Sequence, residues 1–255
     1  RMLIPLAKTV HWFNNHNSAL NRVLDEAELN GWIVKSLRPT LLNKGTKTQS
    51  RGSFSVEEYR AIYSALRTFH KKKPNQKSAA TRKSLRNYVL FLANTGVRHG
   101  TEALGLRWRN IEWYERDGER YLAINVDGKT NKRIAIARDR VVDFLWRQAQ
   151  LNPRIDVLDF DALISAKLDE QVFTTRLSAT VTVHNLNRAF NALLDELDLK
   201  TGADGRARTL YSWLHFYATQ DLERGVNELD EARNAKSWKQ CKKLITGLGK
   251  LSSTW

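Results

Sequence analysis

One cysteine, Cys241, in 255 residues leaves no partner for a disulfide and too few thiolates for a thiol-based zinc site. That scarcity suits a reducing compartment, so a cytoplasmic location is expected. No apolar run approaches the ~20 residues of a membrane-spanning helix. The opening RMLIPLAK is too short for the apolar segment of a secretory signal, so no membrane partner is expected. Internal repeats and low-complexity blocks are also lacking, which argues against a solenoid or a tether. The sequence opens at Arg1 rather than Met, so a fragment of a longer chain is expected. Negative charge is in short supply: 27 Asp and Glu stand against 42 Lys and Arg, a formal net charge of +15.

That excess sets the class of partner. A compact chain tolerates such self-repulsion best when it meets a polyanion, and nucleic acid leads over an anionic membrane surface. Hydrophobic content of 42% and eight Trp suffice for a core in one large domain or two smaller ones.

Residues 17–31, NSALNRVLDEAELNG, read as a helix with a polar start, a face of Leu20, Val23, Leu24 and Ala27, and Gly31 as its stop. Lys, Gly, Ser and Thr then dominate a linker. SVEEY restarts a helix at Ser55 with an acid at the third helical position, a capping-box pattern. Ile62, Ala65, Leu66 and Phe69 carry that helix inward. HKKKPNQKSAATRKS, 70–84, reads as a basic, Pro-broken loop, solvated or laid against a phosphate backbone. Leu85 to Ala93 is apolar enough for a buried helix. YLAINV (121–126) and KRIAIA (132–137) alternate and are joined by DGKTN, which predicts a β-hairpin. Helical spacing returns at Val141 to Ala149 and Leu186 to Leu197. The expected fold class is mainly α with a small antiparallel β-sheet (α+β).

NTGVRHGTEALGLRWRNIEW, 94–113, carries the most information. Gly96 breaks a helix and sets Arg98 at a turn, and a further helix is expected to carry Glu102, Leu104 and Leu106. An arginine there is either a phosphate anchor or a structural partner of Glu102. The ordered wording TG-x-R followed by E-x-L-x-L-x-W resembles the first conserved box of the tyrosine recombinases, or phage integrases. Further along, VDGKTNKRIAIA supplies Lys129 where that family has a hairpin lysine, and TLYSWLHFYAT resembles its second box, H-x-x-R-H with a trailing Ala-Thr. The resemblance covers roughly residues 11 to 225.

It implies a fold and a chemistry. Residues 1–43 would be the C-terminal part of a helical core-binding domain, 44–53 a linker, and 54–255 an integrase-like catalytic domain with 226–255 atypical. A tyrosine would attack a phosphodiester of double-stranded DNA, leaving a 3′-phosphotyrosine and a free 5′-hydroxyl, with no metal and no cofactor. Two arginines would grip the non-bridging oxygens as their charge grows. A lysine would protonate the leaving oxygen. Mapped onto this chain, Arg98 is the first arginine, Lys129 the acid and His215 a hydrogen-bonding support. Arg98, Lys129, Lys132 and Arg133 would contact DNA. Self-association on DNA as a tetramer, a nucleoid-associated location and an origin in a mobile element are implied as well.

Two positions depart from the pattern. Tyr211 stands for the first His of the second box and can still hydrogen-bond a phosphate; Leu214 stands for its Arg and cannot. Losing one such donor costs about 10²–10³ in rate. No tyrosine follows Tyr217, so no nucleophile is identifiable. A degenerate copy, a tyrosine delivered by another protomer, or an altered C-terminal sequence would each account for this, and losing both groups favours degeneration or alteration. The expectation is therefore a recombinase with impaired cleavage. Two rivals stand beside it: a non-catalytic DNA-binding regulator on the same fold, and an unrelated basic helical RNA-binding protein.

Overall fold

The computed structural model describes residues 9–45, 51–72, 75–116, 118–128, 132–174 and 183–223. Lys129 and residues 226–255 lie outside them. The chain divides into two compact units, Arg1–Ser50 and Arg51–Trp255.

The first unit is built on α1 (Val10–Leu29), which starts earlier than the polar start at residue 17 suggested. Thr9 is the reason: its hydroxyl accepts from the Trp12 amide at 3.2 Å, capping the helix there. Asn30 is the C-cap and Gly31 takes the left-handed conformation just beyond, with φ +70. No residue of α1 is buried, and Leu20 and Val23 are exposed. Polar clamps hold the returning chain to it instead. Arg38 bonds Asp25 at 2.7 Å and Glu28 at 3.2 Å, and Asn43 bonds the Val10 carbonyl at 3.0 Å.

The second unit opens with α2 (Val56–Leu66). Its capping box is complete: the Glu58 amide donates to the Ser55 hydroxyl at 3.2 Å, and the Ser55 amide donates to the Glu58 carboxylate at 2.8 Å. Ile62, Leu66 and Phe69 are buried as the periodicity predicts. The stretch expected as a loop over 70–84 is instead largely helical, because α3 (Gln76–Thr95) begins inside it. Asn75 caps that start by accepting from the Lys77 amide at 2.9 Å, and Gln, Lys, Ala and Arg then favour continuation. Nor is the whole run solvated. Arg82 is buried, stacked 3.6 Å from the Phe69 ring centre, and donates to the Phe69 carbonyl at 2.8 Å.

The buried half of α3, rich in Leu, Val, Tyr and Phe, is the axis of the core. After it, α4 (Thr101–Leu104) lasts a single turn. Leu106, expected on that helix, lies beyond it yet is buried. Gly105 ends the turn and the chain passes into a sheet of three antiparallel strands in the order β1 (Ile111–Arg116), β2 (Glu119–Asp127), β3 (Lys132–Ala137). The β2–β3 hairpin is the one read from the alternation. β1 was not anticipated, although Ile111 pairs with Ile124 and Trp113 with Leu122.

Among the described residues four helices follow: α5 (Val141–Ala149), α6 (Phe160–Ser165), α7 (Val183–Glu196) and α8 (Ser212–Glu223). α3 contacts α2, α5, α7, α8 and β3, so the helices gather round it with the small sheet at one side. The architecture is α+β, mainly helical. Among the described residues no helix is long and apolar enough to cross a membrane.

Candidate nucleic-acid interface

Arg98 is set by a turn that the sequence specifies atom by atom. Gly96 caps α3 with φ +62, a conformation that costs other L-residues steric strain. The Thr95 hydroxyl ties back to the Phe91 carbonyl at 2.8 Å and accepts from the Val97 amide at 3.3 Å. Glu102 closes the turn from the other side: its Oε2 accepts from the Arg98 amide at 3.0 Å while Oε1 takes the Arg98 Nη1 at 2.8 Å. The Glu102 side chain is only 4% exposed and that of Arg98 27%, so the carboxylate is enclosed while the arginine stays partly exposed.

The strand period brings a second arginine to the same carboxylate. Arg133 pairs with Val126 across the hairpin and shares its face with the buried Ala135 and Ala137. Its Nη2 donates to Glu102 Oε2 at 2.9 Å and to the Gly96 carbonyl at 3.1 Å, with the side chain 12% exposed. Lys132, one residue earlier, points to the opposite face. Its side chain is 90% exposed and 3.7 Å from Asp127. Lys129, between the strands, lies outside the described residues.

α8 carries the stretch that resembles the second box and closes against the same turn. A Cβ on Gly96 would stand 2.6 Å from Cδ1 of Tyr217, so glycine is what lets the helix approach. One turn on, the buried Asp221 pairs with Arg138 at the end of β3, and the Arg138 guanidinium lies 4.9 Å from the Tyr217 ring centre. Trp213 and Phe216 face the core, where Trp213 stacks on Phe54 with centroids 4.4 Å apart. Leu214 is buried, 6% exposed, but stands apart from the main cluster of packed core side chains. Tyr211 and His215, four apart, share a face and meet edge-on at 5.6 Å.

Two arginines stand within electrostatic reach of that face. Burial first, then the charges of Arg51 and Arg206, hold the His215 imidazole below its ordinary pKa. His99, the residue after Arg98, is pushed down to about 4 by burial and then by Arg51. The Tyr88 hydroxyl lies 2.8 Å from His99 Nδ1 and accepts from the Gly100 amide at 3.3 Å. Burial raises the Tyr88 phenol well above its usual range.

The turn at residues 95–102 and the hairpin strand therefore meet at Glu102, and α8 packs against the adjoining Gly96. Glu102 was weighed in the sequence only as a structural partner for Arg98. Tyr88, His99, Arg51 and the Arg138–Asp221 pair gave no sequence signal, because each acts through a neighbour distant in the chain. Among the described residues no group of three His, Cys, Asp or Glu side chains is placed to hold a metal ion.

No protein-family model matches the sequence, and the comparison with curated proteins finds no match. Solved structures do. The Tn1549 transposon integrase in complex with circular intermediate DNA aligns with a TM-score of 0.56 at 14% identity, over 89% of this chain and 70% of that one. A variant of that integrase with a second circular intermediate DNA gives 0.53 at 15% identity, over 88% and 75%. Another variant, with transposon right end DNA, gives 0.55 at 15% identity, over 86% and 69%. At such low identity the likeness speaks for architecture: this chain has the fold of a transposon integrase.

Proposed function

We propose that this protein is a duplex-DNA-binding recombinase of the integrase type, whose phosphate cradle is built while its strand-cleaving power is impaired. The observation that carries this reading is the shared junction at Glu102. Arg98 bonds it while staying partly exposed, Arg133 braces it from the hairpin, and α8 closes on the adjoining Gly96. A preorganised guanidinium held by a buried carboxylate suits a phosphodiester, because little reorganisation is needed when charge grows on its oxygens. Arg98 is the phosphate-gripping arginine in this reading. Lys129 is the acid of the hairpin, Lys132 adds to the field around the DNA, Arg133 braces Glu102 from behind rather than meeting the DNA as the resemblance implies, and His215 supports the phosphate from α8. The solved integrases of this fold were captured with DNA, in keeping with the proposal. Self-association on DNA belongs to the same reading.

The reaction itself would be transesterification. A tyrosine hydroxyl gives up its proton to a neighbouring base as its oxygen bonds to phosphorus, the bond to the 5′-oxygen breaks, and Lys129 gives that oxygen its proton. No tyrosine follows Tyr217 in this sequence, and Leu214 takes the place of an arginine. These two facts favour one alternative, a regulator that binds DNA on a recombinase fold without cutting it.

Two measurements test the pair. Duplex affinity should fall steeply with salt, as counterion release requires; binding indifferent to salt, or none, would overturn the DNA reading. Incubation with nicked duplex followed by denaturation separates the alternatives, since a surviving protein–DNA adduct is incompatible with a regulator.

A further inference from the structure

With Leu214 in the second box, the α8 wall supplies no guanidinium where the resemblance implies one. A different arginine reaches that wall. Arg51 is exposed, its Nη1 donates to the Thr209 hydroxyl at 3.3 Å, and its Cζ lies 5.4 Å from the Tyr211 ring centre. Stacking on an aromatic face orients a guanidinium without consuming its donors. The charge of Arg51 is felt both at His99, beside Arg98, and at His215, so it stands within electrostatic reach of both boxes.

Its backbone is fixed there. The Gly52 amide donates to the Ala207 carbonyl at 3.2 Å, and a Cβ at Gly52 would stand 3.3 Å from Arg206 Cβ. Arg208 Nε donates to the Ser53 carbonyl at 3.1 Å, and Phe54 is stacked on Trp213. Residues 51–54 are thus pinned to the segment that leads into α8.

The other cations nearby are committed. Arg206 pairs with Asp204 at 3.5 Å, Arg208 with Glu58 at 2.8 Å, and Arg133 with Glu102. Among the described residues Arg51 makes no ion pair with a carboxylate.

We propose that Arg51 is the second phosphate-gripping guanidinium of this site, replacing across the fold the arginine that Leu214 removes from α8. Arg51 and Arg98 then hold one phosphodiester of duplex DNA between them, with Tyr211 orienting Arg51 and His215 alongside. This inference rests on the duplex-DNA reading above and fails separately from it.

The test uses the full chain, duplex DNA and four proteins: unaltered, Arg51→Ala, Leu214→Arg and the double variant, each first checked for cooperative thermal unfolding. In the unaltered chain, absence of salt-sensitive duplex binding defeats the DNA reading itself. Given such binding, Arg51→Ala should weaken it by about tenfold and reduce the magnitude of the log K against log salt slope by about one. Leu214→Arg should restore most of that loss in the Arg51→Ala background while adding little to the unaltered chain, since both would serve one phosphate. Additive effects, or an unchanged affinity and slope in Arg51→Ala, overturn the assignment of Arg51. A second readout needs no variant that must fold. Inorganic phosphate added to the unaltered protein should shift the His215 ring signals saturably and raise that imidazole's pKa, because an anion beside it favours the imidazolium. A ring that ignores phosphate also overturns the assignment.

Discussion

Gly96 and Tyr217 occupy adjoining space so tightly that one methyl group would not fit: a Cβ at Gly96 meets Cδ1 of the ring at 2.6 Å and Cε1 at 2.7 Å. The same glycine has φ +62, so a side chain would suffer twice. The left-handed backbone costs an alanine about 1–2 kcal/mol, and overpacking adds about 1–3 kcal/mol. Gly96→Ala should therefore lower unfolding stability by about 2–5 kcal/mol in urea titrations. In a Tyr217→Ala background the ring is gone and only the backbone share, about 1–2 kcal/mol, should remain. An equal penalty in both backgrounds would show that the ring does not limit the approach of α8.

Glu102 is the next point of strain if altered. Its buried carboxylate serves the Arg98 amide, the Arg98 guanidinium and Arg133 together. Glu102→Ala leaves Arg133, already largely enclosed, with an uncompensated charge, and breaking such a pair from one side costs about 3–5 kcal/mol. Glu102→Gln keeps shape and some hydrogen bonds, so it should lose less. Chemical denaturation ranks the three proteins. A loss under about 1 kcal/mol for Glu102→Ala would show that solvent reaches the cluster.

What was legible in the sequence follows from whether the signal was local. The capping box at Ser55 and Glu58 was readable because its partners are three residues apart. The β2–β3 hairpin was readable from alternation, and that same alternation explains why Arg133 faces inward and Lys132 outward. The start of α3 is not legible from local composition: the basic residues and Pro74 suggest a loop, whereas Asn75 caps a helix whose first turns are polar and whose later turns are buried. The single turn of α4 was overread, since Gly105 stops it before Leu106. Of the candidate site, the position of Arg98 at a turn was legible from Gly96. The reach of Arg51 was not, because residues 51 and 209 lie far apart along the chain and meet only after α8 docks.

Arg208 ties the start of the second unit to the approach to α8. It is buried, its Nη1 pairs with Glu58 Oε1 at 2.8 Å, and its guanidinium lies 5.2 Å from the Phe54 ring centre. Glu58 uses its other oxygen in the capping box, so the two devices share one carboxylate. Arg208→Ala should cost about 3 kcal/mol through the stranded acid and the lost packing. Arg208→Lys should recover less than half, because an ammonium cannot serve Glu58 and the Ser53 carbonyl with one planar fork. Full recovery by lysine would mean that charge alone matters here.

The histidines set how stability depends on pH. His99 is held near 4 against an ordinary 6.5, and His215 and His70 are also depressed, with burial the largest cause in each. A depressed histidine binds its proton more readily in the unfolded chain, so unfolding is favoured as pH falls below 6.5 and the effect levels off once the folded ring also protonates. For His99 that window runs from 6.5 down to about 4 and corresponds to on the order of 3 kcal/mol. Urea midpoints should thus fall steadily between pH 6.5 and 4 in the unaltered protein. His99→Gln, which keeps a polar group near the Tyr88 hydroxyl but cannot titrate, should flatten that fall by more than His215→Gln does. Equal slopes in the two variants would mean that His99 is solvated and that burial does not hold it neutral.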